Sequence, residues 1–103
     1  MIKQIHRVVI VANGKRKKAI IKEIQSSDYV IGVDRAAFWL VEQGVVPDVA
    51  VGDFDSCNAW EFEEIKKNVP NVQSFSPEKD FTDTELALGV ALKKKPHEIV
   101  IFG

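Results

Sequence analysis

Residues 29–56 read YVIGVDRAAFWLVEQGVVPDVAVGDFDS, and this stretch decides the fold. Tyr29 to Val33 is an apolar, β-branched run and reads as a strand. Ala36 to Gln43 is amphipathic at helical spacing and is stopped by Gly44 at a C-cap position. Pro47-Asp48 makes a turn, and Val49 to Val51 is a second short strand. The unit is therefore strand, helix, strand, with polar and glycine residues directly after each strand.

Working outward, the same alternation holds along the chain. Ile5 to Ala12 reads as a strand broken by Asn13-Gly14, and Lys17 to Ile24 as a short helix with Ile20, Ile21 and Ile24 on one face. Asn58 to Asn68 reads as a helix, with Asn58 and Glu61 at capping-box spacing. Val72 to Phe75 is a strand, Thr82 to Lys95 a helix closed by Pro96, and Glu98 to Phe102 a further strand. This βαβαβαβαβ order predicts a three-layer α/β/α fold with a mostly parallel, Rossmann-like sheet of about five strands. The strands are continuously apolar, as expected where both sheet faces are buried. The sequence stops at Gly103, directly after a strand, where a doubly wound sheet would add a helix; the expectation is the first part of a longer protein.

The chain has 103 residues, of which 14 are Lys or Arg and 15 Asp or Glu, for a net charge of −1. Length allows one domain. The charge balance argues against a general nucleic-acid or anionic-membrane binder. A hydrophobic content of 46% excludes intrinsic disorder. No apolar run approaches the roughly 20 residues that span a bilayer. Met1 to Arg7 lacks the apolar core of a signal peptide, and a single cysteine, Cys57, suits a reducing compartment. A soluble, cytoplasmic domain is expected.

In a parallel sheet the residues after each strand share one edge, which is where open α/β sheets bind ligands. That edge collects Asp34, Asp53, Asp55, Asp80 and Asp83. Carboxylates this close repel one another, and a divalent cation with oxygen ligands relieves the repulsion. Asp53 and Asp55 are two apart, so on an extended segment both point to one side. Lys79 supplies charge for a phosphate, and helix N-termini after Ser56 and around Thr82 offer N–H groups to anions. Together these residues suit a metal–nucleotide polyphosphate.

Blander readings apply to individual residues. Asp and Ser after strands also serve as turn formers and N-caps, and Glu85 sits at capping-box spacing from Thr82, which makes it structural. Lys15 to Lys18 reads as a solvated face. His6 and His97 fall on the edge opposite the acids and read as structural, and Phe38, Trp39, Leu40 and Trp60 read as packing residues. Neither GxxxxGK[ST] nor GxGxxG occurs. The convergence of the acids on one rim, rather than any single residue, favours a site.

The segments Gly32-Val33-Asp34-Arg35-Ala36, Gly44-Val45-Val46-Pro47-Asp48, Gly52-Asp53-Phe54-Asp55-Ser56 and Lys79 to Leu88 resemble the catalytic domain of thiamine pyrophosphokinase. The resemblance runs from about Val8 to the end. It implies transfer of a pyrophosphoryl group from ATP to the hydroxyl of thiamine, giving thiamine diphosphate and AMP, with Mg²⁺ as cofactor. It places Asp34, Asp53, Asp55 and Asp83 around the metal, with Asp53 or Asp83 taking the hydroxyl proton. It places Asn13, Gly14, Arg35, Ser56, Lys79, Asp80 and Thr82 near the ATP phosphates. Asn13-Gly14 departs from the paired glycines common in the family, and Ala36 from a common glycine. The resemblance further implies a homodimer and a C-terminal, β-rich thiamine-binding domain that is absent from these residues, so that residues 1–103 would carry the ATP and Mg²⁺ half of the site. Alternatives are a related diphosphokinase acting on another alcohol such as a pterin, a non-catalytic nucleotide-binding module, and a purely structural domain.

Overall fold

The computed structural model describes residues 5–12, 14, 18–75 and 82–102. Nine elements alternate along them: β1 (Arg7–Val11), α1 (Lys18–Glu23), β2 (Tyr29–Val33), α2 (Arg35–Glu42), β3 (Val49–Gly52), α3 (Ala59–Asn68), β4 (Val72–Ser74), α4 (Asp83–Lys93) and β5 (Glu98–Phe102). The five strands form one sheet in the order β4-β3-β2-β1-β5, and every pairing is parallel. The expected three-layer architecture is met, and the sheet is wholly rather than mostly parallel. β2 and β5 have the bounds read from the sequence, and the ends of the other elements differ from that reading by at most two residues, as fraying makes usual.

Side-chain alternation along the strands divides the core into two layers. Val8, Ile10, Ile31, Val33, Val49 and Val51 face α4 and pack with Ala87 and Ala91. Val9, Val11 and Val30 face the other way, against Ala36 and Leu40 of α2 with Ile20 and Ile21 of α1. Ala50 joins that second layer with Phe38, Phe54 and Ile65, which brings α3 alongside α2. Thus α1, α2 and α3 cover one face and α4 the other.

Small residues set the spacing. A Cβ on Gly32 would lie 2.7 Å from Ala37 Cα, so the missing side chain lets α2 sit directly on β2. Gly44 ends α2 at φ +85°, with Val45 N–H donating to Leu40 O at 2.9 Å and Gly44 N–H to Val41 O at 3.1 Å. That is the paired bonding of a Schellman cap. Both expected capping boxes are present: Asn58 with Glu61 on α3, and Thr82 with Glu85 on α4. Trp60 is less buried than expected of a packing residue. It is 62% exposed and meets Phe38 edge-on at 5.3 Å between ring centroids.

The edge opposite the acids is braced by Arg7. Its Nε and Nη2 donate to the two oxygens of Asp28 at 2.9 and 2.6 Å, and Nη2 also donates to Glu23 O at 2.7 Å. The rings of His6 and His97 meet at a tilt nearby, with centroids 5.3 Å apart, on the edge where the sequence put them.

Candidate active site

Asp34 leaves β2 and occupies the N-cap position of α2, but it does not cap that helix. Its backbone stands at φ 52°, a conformation unusual for a residue with a side chain. The Asp34 N–H donates to Val51 O at 2.9 Å, and its Oδ1 accepts the Phe54 N–H at 2.9 Å. The carboxylate is thereby turned from its own helix toward the loop that follows β3. Room for it comes from Gly52, where a Cβ would lie 2.2 Å from Asp34 Oδ1.

The loop after β3 is not extended. Phe54 has φ 61° and is buried in the α2–α3 layer, stacked on Phe62 at 4.9 Å. The turn changes the expected relation between its acids. Asp53 Oδ1 accepts the Asp55 N–H at 3.0 Å, while the Asp55 residue itself is exposed. The expected extended segment is absent, because Phe54 between the two acids has a positive φ, and only Asp53 joins a three-carboxylate group.

Asp34, Asp53 and Asp83 converge instead. Each offers a carboxylate oxygen within 4.8 Å of the others'. Asp34 and Asp53 directly follow β2 and β3, and Asp83 lies in the first turn of α4, so the sheet and the α4 layer meet at this point. Burial pushes the Asp34 carboxyl up to about 7, assisted by its hydrogen bond with Asp83 and by the charges of Asp83 and Asp53, against the opposing Phe54 N–H. A like-charged, oxygen-only donor set of this kind suits a hard divalent cation such as Mg²⁺. Asp55 is outside the three-carboxylate group.

The remaining expected residues are placed as follows. Arg35 donates from Nε and Nη2 to Glu61 Oε2 at 3.0 and 2.6 Å, with its side chain 43% exposed and that of Glu61 6%. Ser56 is exposed just before α3, and Thr82 is the exposed N-cap of α4. Thr82 Oγ1 accepts the Glu85 N–H at 3.1 Å, and the Glu85 carboxylate accepts the Thr82 N–H at 3.1 Å, which confirms Glu85 as structural. Gly14 is exposed beyond β1. Asn13, Lys79 and Asp80 lie outside the described residues, as do Lys15 to Lys17. Burial pushes the Cys57 thiol up to about 11, with help from the charges of Glu61 and Asp34, which disfavours the reactive thiolate.

Two contributors were not foreseen. Gly52 is required for space as well as for its turn. Glu61 was expected only as a cap, yet it also holds Arg35. The sequence carries no local signal for that pairing, because the partners are 26 residues apart.

Comparison with known proteins supplies the family. Residues 20–103 match the model of the thiamin pyrophosphokinase catalytic domain. This chain belongs to that family. A thiamine pyrophosphokinase of Bacillus subtilis (strain 168) is 45% identical over 73 residues, covering 71% of this chain and 34% of the relative. Among solved structures, a thiamine pyrophosphokinase from Bacillus subtilis superposes with a TM-score of 0.79 at 37% identity, covering 93% of this chain and 46% of that one. A thiamin pyrophosphokinase from Geobacillus thermodenitrificans gives 0.77 at 31% identity, covering 92% and 45%. The chain thus spans between a third and a half of the length of the thiamin pyrophosphokinases it matches. No helix among the described residues is long and apolar enough to cross a membrane.

Proposed function

We propose that this chain carries the nucleotide and divalent-cation part of a thiamine pyrophosphokinase. The reaction transfers the pyrophosphoryl group of ATP to the hydroxyl of thiamine. A bond forms between the thiamine oxygen and the β-phosphorus, the bond from that phosphorus to the α,β-bridging oxygen breaks, and AMP departs with that oxygen. The observation that carries this reading is the convergence of Asp34, Asp53 and Asp83 at the sheet edge, in a member of the thiamin pyrophosphokinase family.

Mg²⁺ fits this donor set and, when bound, supplies positive charge against the phosphate oxygens. Asp34 and Asp53 would hold it with Asp83, and Asp55, outside that group, would be a further oxygen donor. Asp53 or Asp83 accepts the proton of the attacking hydroxyl. The N-termini of α3 and α4 present N–H groups on the same rim, and Arg35 with Lys79 contributes cationic charge. Asn13, Gly14, Ser56, Asp80 and Thr82 complete the surroundings of the ATP phosphates. Catalysis on this reading is mainly positioning and charge neutralisation. Recognition of thiamine belongs to a β-rich region outside these residues, and homodimeric assembly in the cytoplasm is part of the same reading.

The test is AMP formation from ATP by the protein carrying this chain, with thiamine and Mg²⁺ each supplied or withheld. AMP that appears only with both supports the proposal. A pterin alcohol accepted in place of thiamine, or Mg²⁺-dependent ATP binding with no turnover of either acceptor, overturns it.

A further inference from the structure

We propose that Glu61 is a positioning residue for nucleotide binding, acting through Arg35; this rests on the reading of the rim as a phosphate site. Glu61 is buried at 5% exposure, a location that costs a carboxylate heavily unless both oxygens are paired. Here the two oxygens serve different loops. Oε1 accepts the Asn58 N–H at 3.0 Å and so closes the N-terminus of α3, the helix that follows Asp53. Oε2 accepts Nε and Nη2 of Arg35, the residue directly after Asp34. One carboxylate therefore ties together the two loops that supply Asp34 and Asp53.

The same contact fixes the Arg35 guanidinium. Nε and Nη2 are committed to Glu61, while Nη1 makes no hydrogen bond among the described residues and the side chain is 43% exposed. A guanidinium held along one edge loses little further freedom when its other edge meets a phosphate oxygen. Without Glu61, Arg35 is a long surface side chain that must be ordered by the nucleotide itself.

Glu61→Gln separates capping from positioning. Glutamine serves equally well at this position of a capping box. With its carbonyl on Asn58 N–H, its amide NH₂ faces Arg35, donor against donor, and the guanidinium is released. The measurements are KM for Mg-ATP and kcat, equilibrium titration with Mg-ATP, and thermal melting. We expect Glu61→Gln to raise KM and the dissociation constant about tenfold with kcat nearly unchanged, the pattern of a lost uniform binding contact. Its melting temperature should stay within about 2 °C of wild type. Arg35→Ala should give the same rise, and the double variant no further rise. Arg35→Lys, which keeps the charge but not the fork, provides a conservative replacement and should fall between. Wild-type Mg-ATP affinity in Glu61→Gln, or effects that multiply in the double variant, overturns the proposal. Wild-type protein that binds Mg-ATP but forms no AMP with thiamine overturns the activity reading alone, because the titration still reads Glu61.

Discussion

Gly52 and Asp34 compete for one space: a Cβ on Gly52 would sit 2.2 Å from Asp34 Oδ1. Asp34 directly follows β2 and Gly52 ends the adjacent β3, where it stands at φ +150°. The backbone of β3 is thus shaped around a side chain leaving β2. A hydrogen bond from Phe54 N–H to the same Oδ1 holds that side chain in place.

Gly52→Ala should therefore displace Asp34 rather than simply loosen the loop. Titration with Mn²⁺, followed by electron paramagnetic resonance, should show divalent-cation affinity reduced at least about tenfold, a loss of roughly 1.4 kcal/mol. Strain at the unusual φ should also lower the melting temperature by several degrees. Unaltered Mn²⁺ affinity in a folded variant would show that the cation does not use Asp34.

The raised Asp34 carboxyl gives a pH dependence of definite sign. Its ordinary value is 3.8 and its folded value about 7. The folded state therefore favours the protonated acid, and this stabilisation is complete below the ordinary value. It declines as pH rises from the ordinary value through the folded one, then levels off. Without divalent cations the melting temperature should fall between pH 5 and pH 8, after allowance for other groups through the Asp34→Asn variant. Added Mg²⁺ should restore it at pH 8 and have little effect at pH 5. A cation effect equal at both values would sever the link between this carboxyl and the metal.

The turn at Phe54 makes Asp53 and Asp55 unequal, and their variants should differ accordingly. Asp53→Asn removes one of the three converging carboxylates and should reduce kcat/KM for AMP formation by about a hundredfold or more, in the range of lost electrostatic stabilisation. Asp55→Asn acts at an exposed position outside that group, and its effect on Mn²⁺ affinity should be several-fold smaller than that of Asp53→Asn. Equal losses of Mn²⁺ affinity would indicate that the loop rearranges to bring both acids to one ion.

Much of this was legible in the sequence because it depends on local pattern. The alternating apolar runs gave the strands and helices, and both capping boxes were visible as residues three apart. Parallel pairing then put Asp34, Asp53 and Asp83 on one edge without further information. What the sequence did not disclose depends on backbone conformation and on distant partners. The positive φ at Asp34 and Phe54 has no compositional marker, since neither residue is glycine. It accompanies a loop in which Asp53 but not Asp55 joins the converging carboxylates, and an Asp34 side chain bonded to Phe54 N–H rather than to its own helix. The Arg35–Glu61 pair joins different helices, and the Arg7–Asp28 pair joins β1 to the turn before β2; neither follows from spacing.

That last pair gives a contrast between stability and function. Asp28 has a side chain 2% exposed and meets Arg7 through two parallel hydrogen bonds, while Asp28 Oδ2 also accepts the Gln25 N–H at 2.7 Å. The hydrogen bond from Arg7 holds the Asp28 carboxyl below its ordinary value, with the opposing effect of burial outweighed. A depressed carboxyl contributes stability above its ordinary value, and that contribution is lost as pH falls through the folded value. Asp28→Ala removes both acceptors and leaves the Arg7 guanidinium without its carboxylate. Its melting temperature at pH 7 should drop by more than about 5 °C, a large shift for a domain of this size. On acidification the variant should lose less additional stability than wild type, because the group responsible for that part of the acid limb is gone. The brace sits on the edge opposite Asp34, Asp53 and Asp83, so Mn²⁺ affinity measured well below the melting temperature should remain within about twofold of wild type. A large change in Mn²⁺ affinity would mean that the two ends of the sheet are energetically coupled.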